Sequence, residues 1–165
     1  MNVLITGSAG SLGYALSKSL LENDHIVIGV DNFNDYYPPE IKRKRNAELE
    51  KFENYHFFET DIVKEEFPEK IREFDPKYFI HFASKDYYYE LKKDVDYLPY
   101  INGNVVSTVK AFDFAAKLRV DKFIYSSTSS LYGTAKKKIF TEKDTIPKPP
   151  SPQGASKLAA ENTVE

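Results

Sequence analysis

The stretch Asn2-Val3-Leu4-Ile5-Thr6-Gly7-Ser8-Ala9-Gly10-Ser11-Leu12-Gly13 opens this chain, and Asp31 closes a second apolar run eighteen residues after Gly13. It reads as a short buried strand, a glycine-rich turn and the start of an amphipathic helix, then a second strand ending in an acid. A side chain at Gly7, Gly10 or Gly13 would block the tight turn, the approach of a phosphate, or the packing of helix against strand. Backbone amides at the helix start, together with the helix dipole, then favour an anion. A glycine-rich loop with no ligand is the competing reading. The strand before the turn, the helix after it and the acid downstream together favour a dinucleotide, held by its pyrophosphate and one ribose.

Outward from that turn, Leu12, Ala15, Leu16, Ser19 and Leu20 recur at helical spacing and predict one packing face. His25 to Val30 predicts a second strand. Pro38-Pro39 permits a helix start, leading into a charged segment from Ile41 to Phe52. Tyr55 to Phe58 predicts a third strand, Lys64 to Phe74 a short helix interrupted by Pro68, and Tyr78 to Phe82 a fourth strand. From Tyr97 to Leu118 a long helix carries two apolar faces. Ile101, Val105, Val109, Phe112 and Ala116 line one, and Thr108, Ala111, Ala115 and Leu118 the other. Two faces imply packing on the sheet and also on something else. Lys122 to Tyr125 predicts a fifth strand, running into Ser126 to Ser130. A proline-rich loop, Pro147 to Pro152, leads to a last helix beginning near Gln153. Strands alternating with helices imply an α/β, doubly wound parallel sheet with right-handed crossovers.

Bulk properties narrow the class. A chain of 165 residues fits one domain, spanning 1–165, with a real core. A net charge of −2 argues against a general nucleic-acid binder. Without cysteine there are no disulfides and no thiolate metal site, and no metal is expected. No basic segment followed by a long apolar run opens the chain, so no signal peptide is expected. No apolar run is long enough to span a bilayer. The expectation is a cytoplasmic protein with no membrane partner.

Asp31 sits where a carboxylate can accept both hydroxyls of an adenosine ribose; the competing reading is a turn aspartate before Asn32. As a ribose partner it would repel a 2′-phosphate and so select NAD over NADP. The basic run Lys42-Arg43-Lys44-Arg45 is the feature that would reverse that choice, and it reads instead as a solvated helix face. Asp61, just past the third strand, has two readings that the sequence leaves open: a partner for the adenine amino group, or a helix N-cap.

Thr6-Gly7-x-x-Gly10-x-x-Gly13, Asp31-Asn32, Asp61-Ile62, His81-Phe82-Ala83, Asn104-Val105, Ser126-Ser127-Thr128 with Leu131-Tyr132-Gly133, and Ser151-Pro152-Gln153-Gly154-Ala155-Ser156-Lys157 follow one another in this order. Together they resemble the extended short-chain dehydrogenases/reductases of the NAD-dependent sugar-nucleotide epimerase/dehydratase family, enzymes of surface-polysaccharide supply. Asp31-Asn32-Phe33-Asn34-Asp35-Tyr36-Tyr37 before a basic helix is similar to the UDP-glucuronate 4-epimerase branch. The resemblance implies a Rossmann-type sheet in the order 3-2-1-4-5. It implies NAD held by Gly7, Gly10, Leu12 and Gly13 at the pyrophosphate, Asp31 and Asn32 at the ribose, Asp61 and Ile62 at the adenine, and Ala83 on the nicotinamide side. Thr128 stands at the position of the catalytic serine or threonine. Lys157 would hold the nicotinamide ribose and lower the pKa of a phenol one helical turn earlier. A UDP-sugar is the implied substrate, and a homodimer through helices 97–118 and 153–165 the implied assembly.

Two departures stand out. The family's base is a tyrosine, and this chain has Gln153 there, whose amide can hydrogen-bond a hydroxyl but cannot take its proton. Losing such a base typically removes about 10²–10⁴-fold in rate. The family's C-terminal substrate half, with its sixth and seventh strands, has no counterpart in these residues. Two functions are therefore expected of the chain: a catalytically impaired nucleotide-sugar epimerase or dehydratase, or a non-catalytic nucleotide-binding or interaction module, with an inert remnant as the limiting case. The loop Ser84-Lys85-Asp86-Tyr87-Tyr88-Tyr89 also differs from the small-residue, arginine-bearing loop of the glucuronate branch.

Overall fold

The computed structural model describes residues 1–85, 96–132, 139–141, 143–144, 149 and 151–164. Asp86 to Tyr89, Gly133, Pro147 and Pro150, on which some expectations fall, lie outside the described residues. The chain divides into two compact units, Met1–Ala83 with Lys110–Ser126, and Ser84–Val109 with Ser127–Glu165.

The first unit contains a five-stranded sheet in the order β3-β2-β1-β4-β5. Its strands are β1 (Asn2–Thr6), β2 (Ile26–Asp31), β3 (Tyr55–Glu59), β4 (Tyr78–His81) and β5 (Lys122–Tyr125). Every pairing is parallel, with Leu4 opposite Ile28 on one side and Phe79 on the other. Helices cover both faces, which is why β1 and β2 read as continuous apolar runs rather than alternating ones. Leu4, Ile28, Val30 and Phe79 pack with Phe67, Ile71, Ala111, Phe114 and Ala115. Val3, Ile5 and Val27 pack on the opposite face with Leu21, Leu49 and Tyr55. The sheet and its order are as expected.

Several local expectations change. In α1 (Ser11–Leu21) the buried residues are Gly13, Ser17 and Leu21, while Leu12 and Ala15 are exposed. The expected face is thus right at Leu16 and Leu20, which pack at the core's margin, and wrong at Leu12 and Ala15; the closest approach is made at Gly13, where only a glycine fits. In α2 (Pro39–Leu49) the buried residues are Lys42, Asn46 and Leu49, so Lys42 departs from the expected solvated face, while Arg43 and Lys44 are exposed and Arg45 half-buried. The segment from Lys64 contains only a 3₁₀ helix, Glu69–Phe74, entered after Pro68.

The long helix expected from Tyr97 is three pieces: α3 (Leu98–Tyr100), a π-helical Ile101–Val106, and α4 (Ser107–Leu118). Ser107 and Thr108 hydroxyls donate back to the Gly103 and Asn104 carbonyls at 2.6 and 2.5 Å, competing with the regular ladder in the last π turn. On α4, Thr108, Ala111, Phe114 and Ala115 are buried, whereas Phe112 and Ala116 are exposed. In the second unit α5 (Pro152–Val164) packs on this π segment and on a 3₁₀ helix, Ser129–Tyr132, that the sequence did not announce. Asn104 is the tie: its Nδ2 donates to Ser156 Oγ at 2.8 Å and to the Lys85 carbonyl at 3.0 Å, and its Oδ1 accepts from Lys85 N–H at 2.7 Å.

Candidate functional site

The glycine turn of the first unit is built by close approach. Gly7 has φ +71°, a left-handed conformation, and a Cβ on it would lie 2.9 Å from the Ala83 nitrogen. A Cβ on Gly13 would lie 2.1 Å from the Gly7 carbonyl oxygen, and one on Gly10 3.0 Å from that same oxygen. Gly7 N–H donates to the Val30 carbonyl at 2.7 Å and Gly10 N–H to the Gly7 carbonyl at 2.9 Å. Helix α1 starts from Gly10 with no side chain capping its first turn and no acid in that turn. Such an end is electrostatically suited to an anion.

Asp31 terminates β2 with a buried carboxylate. Its Oδ2 accepts from the Ala9 N–H at 3.1 Å, and its Oδ1 from the Phe33 N–H at 2.9 Å. One oxygen thus fixes the glycine turn and the other shapes the chain leaving the strand, where Phe33 takes φ +47°. Asn32 Oδ1 accepts from Asn34 N–H at 3.0 Å, continuing the turn. Lys42 Nζ lies 3.6 Å from Asp31 Oδ1 and donates to Asn34 Oδ1 at 2.7 Å. Burial pushes the Lys42 ammonium below the ordinary lysine range, with Asp31 pulling it back up.

A second tie reaches the turn through β3. The Tyr55 hydroxyl donates to Asn46 Oδ1 at 2.8 Å and lies 3.3 Å from Ser8 Oγ. It fills the space that a side chain at Gly29 would need, since a Cβ there would lie 2.3 Å from the Tyr55 oxygen. Burial pushes this phenol far above its ordinary value, so it stays a neutral donor. Ser8, Gly29, Asn46 and Tyr55 carry no site signal of their own in the sequence, and Lys42 stands out there only as part of the basic run. For Lys42, Asn46 and Leu49 the available signal was their i, i+4, i+7 spacing.

Asp61 Oδ1 accepts from Val63 N–H at 3.1 Å, its Oδ2 lies 3.4 Å from Lys64 Nζ, and its carbonyl accepts from Lys64 and Glu65. This is cap-like turn geometry. Ile62 is buried in the core beside it, and Ala83 packs at the core's margin beyond β4. Leu12 is 64% exposed on the first turn of α1.

In the second unit the other expected residues fall into one local group. Thr128 Oγ1 donates to Ser130 Oγ at 3.2 Å, and Ser130 Oγ donates to Gln153 Oε1 at 3.5 Å. Lys157 is buried, one turn after Gln153 on α5. Tyr132 stacks on Phe140 at 4.6 Å between ring centroids. Tyr125, in the first unit, stacks on His81 at 6.0 Å. Among the described residues no cluster of His, Asp and Glu could hold a metal, and no helix is long and apolar enough to cross a membrane.

The parallel sheet and its glycine turn define a Rossmann-type α/β domain. The chain belongs to the NAD dependent epimerase/dehydratase family, whose family model matches residues 3–165. An uncharacterised protein of Methanocaldococcus jannaschii is 37% identical over 97% of this chain and 49% of its own length. Protein CapI of Staphylococcus aureus is 32% identical over 98% of the chain and 48% of its own. The UDP-glucuronic acid 4-epimerase of Bacillus cereus, solved in complex with NAD, superposes with a TM-score of 0.83 at 31% identity, over 98% of this chain and 50% of that one. The chain thus spans about half the length of the relatives it matches.

Proposed function

We propose that this chain is the NAD-binding part of a nucleotide-sugar epimerase or dehydratase, of the UDP-glucuronate 4-epimerase kind. The observation that carries the reading is the buried Asp31 carboxylate bonded to the glycine turn through Ala9. It ties the acid of the second strand to the glycine turn of the first. The residues present fit the cofactor: Gly7, Gly10, Leu12 and Gly13 offer backbone to a pyrophosphate, and Asp31 and Asn32 oxygens to the adenosine ribose. Asp61 and Ile62 take the adenine, and Ala83 the nicotinamide side. When bound, NAD supplies a hydride acceptor for a sugar carbon.

Thr128 is assigned the hydroxyl of a UDP-sugar, and Lys157 the nicotinamide ribose. Gln153 stands where a proton acceptor is required. Its amide holds a hydroxyl without removing its proton, so the chain binds better than it turns over. The second reading, a non-catalytic nucleotide-binding module, is favoured by that one residue. Incubation with NAD and UDP-glucuronate, followed by chromatography for UDP-galacturonate, separates the two. Turnover by the wild-type chain contradicts impairment. Turnover gained on Gln153→Tyr assigns the defect to the missing base, and none in either form leaves the binding module.

The assembly proposed is a homodimer through the helices of 97–118 and 153–165. Tyr97, Leu98, Ile101 and Phe112 are exposed, as are Ala155 and Ala159 on α5. Burying such surface is worth about 25 cal/mol per Å² before association costs. Light scattering that reports a monomer at all concentrations contradicts it.

A further inference from the structure

The Lys42–Asp31 pair changes what the acid at the end of β2 can do. Both side chains are nearly dry, 8% and 4% exposed, with the ammonium 3.6 Å from Asp31 Oδ1. Asp31 does not need Lys42 for its placement, because the Phe33 and Ala9 amides already fix one carboxylate oxygen each. Lys42 does not depend on Asp31 alone either, since it donates to Asn34 Oδ1 at 2.7 Å. What the lysine adds is charge. A lone carboxylate rejects a 2′-phosphate by repulsion, and an adjacent cation in the same low-dielectric pocket offsets that repulsion. The guanidinium of Arg43, 4.4 Å over the Phe33 ring, adds positive potential on the same side chain cluster.

We infer that Lys42 is a specificity-determining residue of the adenosine end: by charge, it sets how strongly Asp31 rejects a dinucleotide phosphorylated on its ribose 2′ oxygen. The inference rests on the reading that NAD binds the first unit. It makes cofactor choice a property of the ion pair rather than of the acid alone. Removal of the acid then leaves an ammonium held 3.6 Å from where Asp31 Oδ1 stood, and a 2′-phosphate becomes its partner.

Calorimetric titration of the full chain with NAD and with NADP tests this, with circular dichroism confirming that each variant is folded. In Asp31→Asn, affinity for NADP relative to NAD rises by at least about tenfold, equivalent to about 1.4 kcal/mol. Most of that rise disappears in Asp31→Asn/Lys42→Met and is kept in Asp31→Asn/Lys42→Arg. An NADP-to-NAD ratio that is the same in Asp31→Asn and Asp31→Asn/Lys42→Met overturns the inference. So does a Lys42→Met single variant that weakens both dinucleotides equally, which is the mark of a purely structural lysine. Wild-type chain that binds neither dinucleotide removes the NAD reading and this inference together. Wild-type chain that binds NAD while the ratio ignores residue 42 removes this inference alone.

Discussion

Replacing Gly13 by alanine tests the close approach on which the glycine turn depends. The new Cβ would lie 2.1 Å from the Gly7 carbonyl oxygen and 2.8 Å from Ser8 Cα, both backbone atoms. Restoring ordinary contact means moving α1 off β1 by about 1.3 Å, against a packing face made of Gly13, Ser17 and Leu21. Overpacking typically costs about 1–3 kcal/mol, and a backbone partner cannot rotate aside as a side chain can. Alanine returns up to about 1 kcal/mol of helix propensity. With the overpacking cost at the top of its range, the net expectation is a loss of about 2 kcal/mol, or roughly 4–8 °C in melting temperature for a chain of this size. Gly10→Ala is the internal comparison. Its Cβ would stand 3.0 Å from that same oxygen, so a shift of a few tenths of an ångström relieves it and the loss stays near about 1 kcal/mol. Thermal unfolding followed by circular dichroism reads both. A Gly13→Ala chain that melts within about 1 kcal/mol of wild type, or below no more than Gly10→Ala, refutes the reasoning.

Gly29→Ala puts a Cβ 2.3 Å from the Tyr55 oxygen and should cost about 1–3 kcal/mol by forcing the phenol off Asn46; Tyr55→Phe should recover part of that loss, and additive effects in the double-mutant cycle would contradict the contact. His56, stacked on Phe74 at 4.3 Å, has its pKa held below the ordinary 6.5, first by burial and then by Lys70. The unfolded chain therefore takes up this proton first on acidification. The contribution is present above about pH 6.5 and is lost as pH falls through the folded value. Nuclear magnetic resonance should place the His56 midpoint below 6.5, and His56→Gln should flatten the stability profile between about pH 7 and 5; a midpoint above 6.5 contradicts the sign.

The strands were legible because a parallel sheet buried on both faces leaves apolar runs, such as Val3-Leu4-Ile5 and His25 to Val30. Their order followed from family resemblance rather than from spacing. The face of α2 was not legible, because Lys42 and Asn46 are polar residues buried by specific partners, which hydrophobic periodicity cannot reveal. The face of α1 was legible at Leu16 and Leu20 but not at its first turn, where Leu12 is apolar yet exposed and Gly13 is the contact. The π turn at Ile101–Val106 depends on side-chain bonds such as Asn104 to Ser156, between residues far apart in sequence. Within the site, Asp31 and the three glycines were legible from their spacing, whereas the Lys42 ion pair and the Ser8–Tyr55–Asn46 tie needed the fold.

The central claim is that the first unit binds NAD through its glycine turn and Asp31. Isothermal titration of the purified chain with NAD tests it most directly. The account predicts saturable binding with a dissociation constant on the order of micromolar, about −8 kcal/mol, weakened at least about tenfold in Asp31→Ala. No heat up to millimolar NAD, or binding indifferent to residue 31, would contradict it.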